Sequence, residues 1–189
     1  GTQMIAKGHD FPNVTLVGVV SADVGLGVAD FRAAERTFQL LTQVAGRAGR
    51  GGKTGETIVQ TLHPDHYSLH HACEQNYKSF YEEELTFRRR MRYPPIVALA
   101  NMVIKHRSPG NALKTATKFV AALRKCNKRL EVLGPASAPL ERLKGEYRVQ
   151  VLTKSSHRRE MRGALVTALE VCSEFQGQIV IDVDPVSVL

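Results

Sequence analysis

A continuous apolar segment near the start of the chain, TLVGVV at residues 15–20, is the feature that most constrains the fold. Turn-forming residues bound it on both sides, so it has the length of a single strand. An apolar run without alternation is typical of a strand buried on both faces of a parallel sheet. A helical pattern over residues 31–44, with Asp30 placed to cap it, and a second strand over residues 57–60 follow. The segment therefore predicts a strand–helix–strand unit of an α/β fold.

The pair Pro94-Pro95 predicts a domain boundary, because proline cannot continue the helix expected over residues 78–91. We therefore expect two domains, residues 1–92 and 93–189. The second has strands at 97–106, 131–133, 147–154 and 178–183, helices at 108–128 and 157–175, and a loop at 134–145. This β-α-β-β-α-β succession is the ferredoxin-like order of a small α+β domain. The predicted fold class is thus α/β followed by α+β.

Both helices expected in the second domain have an apolar stripe that we expect to face the core. In the first helix the stripe is Leu113, Ala116, Val120 and Leu123, and in the second it is Met161, Ala164, Leu165, Ala168 and Cys172.

The charge of the chain is concentrated in its second half. Of the 189 residues, 26 are Lys or Arg and 18 are Asp or Glu, a formal net charge of +8. Residues 1–92 hold 11 basic and 10 acidic side chains, and residues 93–189 hold 15 and 8. This asymmetry predicts a nucleic-acid or acidic-peptide partner for the second half, with a merely soluble basic surface as the alternative.

Cysteine and apolar patterns limit the class of protein. The three cysteines form no C-x-x-C pair and predict buried thiols in a reducing cytoplasm. No apolar run reaches the roughly 18 residues of a membrane helix, so we expect no membrane partner. Because the first residue is Gly1, within a motif discussed below, we expect the chain to be a fragment of a longer protein.

The glycine-rich stretch QVAGRAGRGGKTG, residues 43–55, is not a phosphate-binding P-loop. A P-loop ending at Gly52-Lys53-Thr54 needs glycine at position 47, where the sequence has Arg47. A P-loop also follows a strand and opens a helix, whereas here a predicted helix comes first and a strand follows. Lys53 is therefore not expected to be the lysine of a P-loop.

The arginines of this stretch suit a different role. Gln43, Arg47 and Arg50 lie at i, i+4 and i+7, and Gly46 and Gly49 interrupt the helix between them. Guanidinium groups projecting from a helix end with little cover are suited to bidentate contact with a phosphate held by another domain. The alternative is a pair of surface arginines on a glycine-rich turn.

Several segments resemble one family of DNA motors. QVAGRAGR at residues 43–50 resembles motif VI, and GTQMIAKGHDFP at residues 1–12 resembles motif V, of superfamily 2 helicases. ADFRAAER at residues 29–36 resembles a segment of the PriA family of replication-restart helicases. YPP at 93–95, VLGP at 132–135, GEYRVQ at 145–150 and DVDP at 182–185 resemble segments of the C-terminal domain of that family. The resemblance spans essentially the whole chain.

The resemblance implies the tail of a RecA-like helicase lobe in an ATP-driven 3′→5′ DNA helicase. It implies that such a helicase recognises abandoned or stalled forks, with forked and single-stranded DNA as partners, and reloads the replication machinery with other primosome proteins. Arg47 and Arg50 would contact the γ-phosphate of ATP and Gln43 would couple the site. Gly8 and Asp10 would lie near the nucleotide sugar, and Thr2 and Gln3 at the cleft, with Thr2 donating to a DNA phosphate.

The resemblance also implies what other parts of the protein would hold. ATP and Mg²⁺ would be bound mainly by a first lobe outside this sequence, and the Zn²⁺ of the family by an upstream cysteine-rich module. We therefore expect no metal ligands here and no ATP hydrolysis by this chain alone. A bacterial cytoplasmic, nucleoid-associated protein is expected.

Two basic clusters are candidate binding surfaces. Arg124, Lys125, Lys128 and Arg129 suit DNA phosphates, with a solvated helix end as the alternative. The second cluster, Arg158, Arg159 and Arg162, opens a helix, where positive charge opposes the dipole and thereby indicates function. Resemblance implies that its partner is the acidic tail of single-stranded DNA-binding protein.

Four histidines, at positions 63, 66, 70 and 71, form a cluster in which His66 and His70 have the i, i+4 spacing of a metal pair. No carboxylate pattern completes a site, so solvent-facing histidines are the expected outcome. Near them, Glu84 and Arg88 are expected to pair on a solvated helix face.

Two alternative functions stay open at this point. One is a different motor, either a RecG-like or an RNA helicase. The other is a catalytically silent module that binds nucleic acid or protein.

Overall fold

The computed structural model describes residues 14–48 and 54–188. Contacts divide the chain into two compact units, one ending at Phe87 and the other beginning at Arg88. Each unit has its own hydrophobic core. Among the described residues, no helix combines the length and the apolar character needed to cross a bilayer.

The first unit contains a small parallel sheet. Strand β1 pairs with β2 in parallel, with Leu16 opposite Glu56 and Val19 opposite Val59. Helices connect the two strands and follow them, so the expected strand–helix–strand succession is confirmed. The elements are β1 (Leu16–Val19), α1 (Asp23–Leu26), α2 (Ala33–Ala45), β2 (Glu56–Val59), α3 (Tyr67–Cys73) and α4 (Tyr77–Met91), of which residues 88–91 belong to the second unit.

The prediction that β1 is buried on both faces is wrong for the described structure. Exposure alternates along β1, and Leu16 is 58% exposed. Val19 and Val59 pack against the core of this unit, whereas Ile58 on β2 stays half exposed. A two-stranded sheet has one face toward its helices, and the opposite face has no layer over it among these residues.

Aromatic packing holds the first unit together. Phe38 of α2 stacks on Phe80 of α4 with ring centroids 4.1 Å apart, and both side chains are buried. Leu41 and Leu69 complete this core. Phe38 and Leu41 thus share the buried face of α2.

The second unit is built on a four-stranded antiparallel sheet in the spatial order β4-β5-β3-β6. Both of its helices contribute to one core cluster, together with alternate residues of the central strand, such as Ala100, Met102 and Ile104. The elements are β3 (Ala98–His106), α5 (Pro109–Cys126), β4 (Glu131–Leu143), β5 (Glu146–Ser155), α6 (Arg158–Val171), a 3₁₀ turn (Ser173–Gln178) and β6 (Ile179–Val183).

The loop predicted for residues 134–145 is wrong, because most of it continues β4 as far as Leu143. Two prolines, Pro135 and Pro139, suggested a loop, since proline donates no hydrogen bond to a sheet. However, β4 is an edge strand, and its pairing with β5 shifts register twice in this stretch. Edge strands and bulges tolerate proline because not every N–H is needed there.

The apolar stripe of α6 is confirmed, since all five of its predicted members are buried. The prediction of buried thiols holds for Cys172 and is wrong for Cys73 and Cys126, which are exposed. The stripe of α5 is partly wrong. Leu113 is 50% exposed, and the buried face instead includes Ala112 and Phe119. The face of α5 is therefore rotated slightly from the one that the sequence suggested.

Candidate functional site

The end of α2 positions the first candidate side chains. The helix stops at Ala45, and Gly46 caps it by donating its N–H to Thr42 O at 3.1 Å. Arg47 N–H then bonds Val44 O at 3.0 Å, which continues the chain as a tight turn. Gln43 is exposed on the last helical turn and Arg47 is half-buried just beyond it. Helix and turn together thus place Gln43 and Arg47 at one helix end.

Five residues of the candidate nucleotide and DNA sites lie outside the described residues. They are Thr2, Gln3, Gly8, Asp10 and Arg50.

A buried carboxylate secures the opposite end of α2. The Asp30 side chain has no exposed surface; it accepts the N–H of Arg32 at 2.9 Å and pairs with the Arg36 guanidinium at 3.0 Å. Asp30 is therefore not the N-cap itself, which is Arg32, but it fixes the residues around it. The pairing of Asp30 with Arg36 was not predicted, although the two opposite charges lie only six positions apart in the sequence.

The first basic cluster surrounds the end of α5. Arg124, Lys125, Lys128 and Arg129 are all exposed. One guanidinium nitrogen of Arg124 makes a long contact of 3.5 Å with Val132 O, and the Arg129 N–H donates to Asn127 Oδ1 at 2.9 Å. Cations at the C-terminal end of a helix are stabilised by its dipole. The cluster therefore presents its charge to solvent without strain.

The second basic cluster, at the start of α6, is not uniform. Arg158 pairs with both carboxylate oxygens of Asp184, at 3.0 and 3.1 Å, so its charge is largely compensated. Arg159 and Arg162 are exposed and form no ion pair within the described parts of the chain. Both line an open surface groove along α6. The residues that line this groove are Arg158, Arg159, Arg162, Gly163, Val166, Thr167 and Glu170.

The two basic clusters meet at one end of the helical layer. Asn127, just after α5, donates its side-chain amide to Glu160 in the first turn of α6 at 3.4 Å. This contact brings the end of α5 beside the start of α6. The two clusters were predicted as separate surfaces, and the structure places them side by side.

The histidine-rich segment has two separate roles. His66 caps α3, because its Nδ1 accepts the N–H of Ser68 at 3.2 Å. Burial lowers the pKa of His66, which favours the neutral ring that this bond requires. His70 does not pair with His66; it lies instead beside His71 and Glu74, at the end of α3.

Glu84 and Arg88 do not lie on a solvated face, and that prediction is wrong. Both side chains are buried, and each has a hydrogen-bond partner. Tyr67 donates its hydroxyl to Glu84 at 2.6 Å, and Arg88 donates to Pro94 O at 3.1 Å.

Comparison with known proteins decides the family. Residues 89–186 match the model of the primosomal protein N C-terminal domain, and they nearly coincide with the second unit. The replication restart protein PriA of Bacillus subtilis is 47% identical over 171 residues, which cover 90% of this chain. The chain belongs to the PriA family.

PriA proteins of distant bacteria give the same result. That of Haemophilus influenzae is 41% identical over 98% of this chain, and that of Treponema pallidum is 41% identical over all of it. The chain spans 21%, 26% and 29% of the lengths of these three relatives. Among solved structures, the de novo designed protein Foldit4 aligns with 46% of this chain and 92% of its own, with a TM-score of 0.38 and 10% identity.

Membership of the PriA family argues against a RecG-like or an RNA helicase family for this chain. The sequence similarity extends over both units, because the matched regions include the segment with Gln43 and Arg47 as well as the basic clusters.

Proposed function

We propose that this chain is part of an ATP-dependent 3′→5′ DNA helicase that binds stalled or abandoned replication forks and initiates primosome assembly. In this proposal the first unit is the tail of a RecA-like lobe and the second is a ferredoxin-like partner-binding domain. The parallel pairing of β1 with β2 and the β4-β5-β3-β6 sheet support these assignments. The protein would act in the bacterial cytoplasm, at the nucleoid.

The observation that carries the proposal is the position of motif VI at the end of a helix. Gln43 and Arg47 stand at the end of α2, and Arg50 follows three residues later. The guanidinium of Arg47 at this helix end suits the γ-phosphate of an ATP whose phosphates and Mg²⁺ are held mainly by another lobe, and Arg50 would be the second such group. Gly8 and Asp10 would border the sugar of that nucleotide, and Thr2 and Gln3 would face DNA.

An ATPase assay of this chain tests the assignment. Because the sequence contains no P-loop, we expect no ATP turnover, with or without forked DNA. On its own the chain would then act as a binding module. Turnover that survives purification and is lost in Arg47→Ala would show that the chain holds a complete active site and would overturn the helper role.

DNA binding is proposed for the cluster at the end of α5. Lys125 and Lys128 are exposed, as are their neighbours Arg124 and Arg129, in the half of the chain that carries 15 basic and 8 acidic residues. Each phosphate contact releases counterions, so the logarithm of affinity should fall with that of salt concentration by about 0.9 per contact for duplex DNA.

A salt series with forked, duplex and single-stranded DNA measures this effect on the whole chain. Lys125→Ala and Lys128→Ala should each weaken binding and reduce the salt slope by about one. Lys114→Ala, an exposed lysine earlier on α5, is the matched control and should change neither. Equal losses in all three variants would mean that the cluster has no special role.

Docking of the acidic tail of single-stranded DNA-binding protein is proposed for the groove along α6. Arg159 and Arg162 supply positive charge, and Val166, which is 56% exposed, supplies an apolar contact beside them. Arg158 is committed to Asp184, so we assign it the role of positioning the start of α6.

Fluorescence anisotropy with a labelled acidic peptide tests the groove. Arg162→Ala should weaken peptide binding by about tenfold, whereas Arg158→Ala should have a smaller effect. Because the basic clusters meet at Asn127 and Glu160, DNA should compete with the peptide. Peptide binding that is unchanged in Arg162→Ala and in Arg159→Ala would exclude this groove as the binding site.

A further inference from the structure

The end of α3 gathers three metal-binding side chains that the helicase function does not use. His70, His71 and Glu74 each offer one ligand atom, and these atoms lie within 4.8 Å of one another. The spacing follows from the helix, because residues three and four apart share a face. Glu74 therefore lies beside both histidines, with one carboxylate oxygen 3.6 Å from His70 Nε2 and the other 3.9 Å from His71 Nδ1.

The ring of His71 also contacts a carboxylate on the next helix. His71 Nε2 lies 2.9 Å from Glu83 Oε2 on α4. An ionised carboxylate only accepts hydrogen bonds, so the proton of a neutral His71 ring lies on Nε2. Nδ1 then carries a lone pair directed toward Glu74.

His71 Nδ1 is shielded from solvent and has no hydrogen-bond partner. Its distance of 3.9 Å from Glu74 is too long for a hydrogen bond. His71 Nδ1 and the Glu74 carboxylate are thus two electron-pair donors separated by a gap, and the nitrogen is shielded from water. A cation between them would satisfy both.

We propose that His70 Nε2, His71 Nδ1 and the Glu74 carboxylate bind a divalent metal ion of the zinc class. Two imidazoles and a carboxylate are a donor set that Zn²⁺ accepts, and Glu83 is the carboxylate that orients a metal-bound histidine through its other nitrogen. Bond lengths of about 2.0–2.2 Å require the ligand atoms to approach to roughly 3.3 Å. His70 and Glu74 are more than half exposed, so their side chains are free to make this adjustment.

The chief alternative occupant is a proton. A doubly protonated His71 would lie between Glu74 and Glu83 as a charged bridge, without any metal. Metal titration separates the two cases, because a protonated bridge predicts no stoichiometric binding.

Calorimetric titration of Zn²⁺ into the whole, reduced chain tests the site, with the visible absorption of bound Co²⁺ as a second readout. We expect one equivalent to bind in the parent. His71→Ala and Glu74→Gln should each weaken binding by more than about 100-fold, and Glu83→Gln by about 10- to 100-fold.

Two variants serve as matched controls. His63→Ala removes an exposed histidine of the same segment, and Cys73→Ser removes the exposed thiol next to the cluster. Both should bind Zn²⁺ as the parent does. Absence of stoichiometric binding in the parent, or binding that survives His70→Ala combined with Glu74→Gln, would overturn the proposal. So would loss of the site in Cys73→Ser alone. Circular dichroism of each variant confirms that the fold is retained.

Discussion

The two units differ in how completely their sheets are covered. In the central strand β3, seven consecutive residues from Ala98 to Ile104 are buried. In β1 and β2, exposed and half-buried residues alternate. Strands β1 and β3 both have mainly apolar sequences, so an apolar run predicts a strand but does not predict how many of its faces are covered. Coverage depends on the layers that the rest of the chain supplies.

The difference predicts where stability resides. The core of the second unit is large and includes Phe119 and Leu123, which have no exposed surface. It forms where two helices pack against a four-stranded sheet. The core of the first unit is smaller and rests on aromatic stacking around Phe38. We expect the amides of β3 and β5 to be the most protected against hydrogen exchange.

The largest effect is expected from Phe119→Ala. Its ring is fully buried in the larger core, so the substitution should lower the free energy of unfolding of the second unit by about 3–5 kcal/mol. Denaturant titration combined with hydrogen exchange of β3 and β5 measures this loss. Phe38→Ala is the counterpart in the first unit and should leave exchange in β3 unchanged. If Phe38→Ala accelerates that exchange as much as Phe119→Ala does, the two cores are not independent.

A smaller loss is expected from Gly134→Ala in the edge strand β4. Gly134 has a φ of +98°, and a Cβ there would lie 2.8 Å from Gln150 O of the neighbouring strand. Strain and contact together should cost about 1–3 kcal/mol. The control is Gly163→Ala in α6, where a Cβ would meet nothing within 4 Å. This substitution should stabilise the helix by about 0.5–1 kcal/mol. Thermal unfolding curves that shift in the same direction for both would contradict this account.

A pH-dependent effect is expected from Lys154→Met. Lys154 is buried, donates to Met91 O at 3.0 Å and lies 3.9 Å from the Tyr93 ring centroid. Burial lowers the pKa of its ammonium below the usual 10.5. Between that lowered pKa and 10.5, the unfolded chain binds a proton that the folded chain does not, so stability rises with pH.

Below the lowered pKa, Lys154 is charged in both states and contributes no slope. The difference in urea midpoint between parent and Lys154→Met should therefore be flat near neutrality and should grow in favour of the parent toward pH 10.5. Parallel curves over the whole range would show that Lys154 is not desolvated.

The order of helices and strands could largely be predicted from the sequence, because it depends on local periodicity. Helix α6 shows this, since Met161, Ala164 and Leu165 lie in the core as their spacing indicated. Prediction fails where the burial or conformation of a segment depends on the element that packs against it. In α5, both Leu113 and Phe119 fit an apolar stripe, and the sheet beneath selects Phe119. In β4, prolines suggest a loop until the strand is known to be at the edge.

Individual candidate side chains could be predicted, but their pairings could not. Basic residues of both clusters are evident in the sequence, whereas the pairing of Arg158 with Asp184 joins positions 26 apart. The contact of Asn127 with Glu160 joins positions 33 apart and brings the clusters together. No local pattern encodes such contacts, because they depend on how α5 and α6 pack on the sheet.

The smallest effect is expected from Asp23→Asn, and it sharpens the contrast between the units. The first unit ties the end of β2 to α1 through an exposed carboxylate, which accepts Thr61 Oγ1 at 2.6 Å and the Leu62 N–H at 2.9 Å. These bonds, that of Thr61 foremost, lower the pKa of Asp23 below the usual 3.8. The stabilisation is therefore present above pH 3.8 and is lost as the pH falls through the lowered pKa.

Asp23→Asn should remove this acid dependence, while Thr61→Val, which keeps the Leu62 bond, should reduce it only in part. Hydrogen exchange of the β2 amides, measured from neutral pH into the acid range, records the change. Exchange in β3 should not respond, because Asp23 and Thr61 belong to the first unit and β3 packs in the separate apolar core of the second. An acid response of equal size in β3 would mean that the two units share one unfolding transition, and the contrast between them would then be one of burial alone.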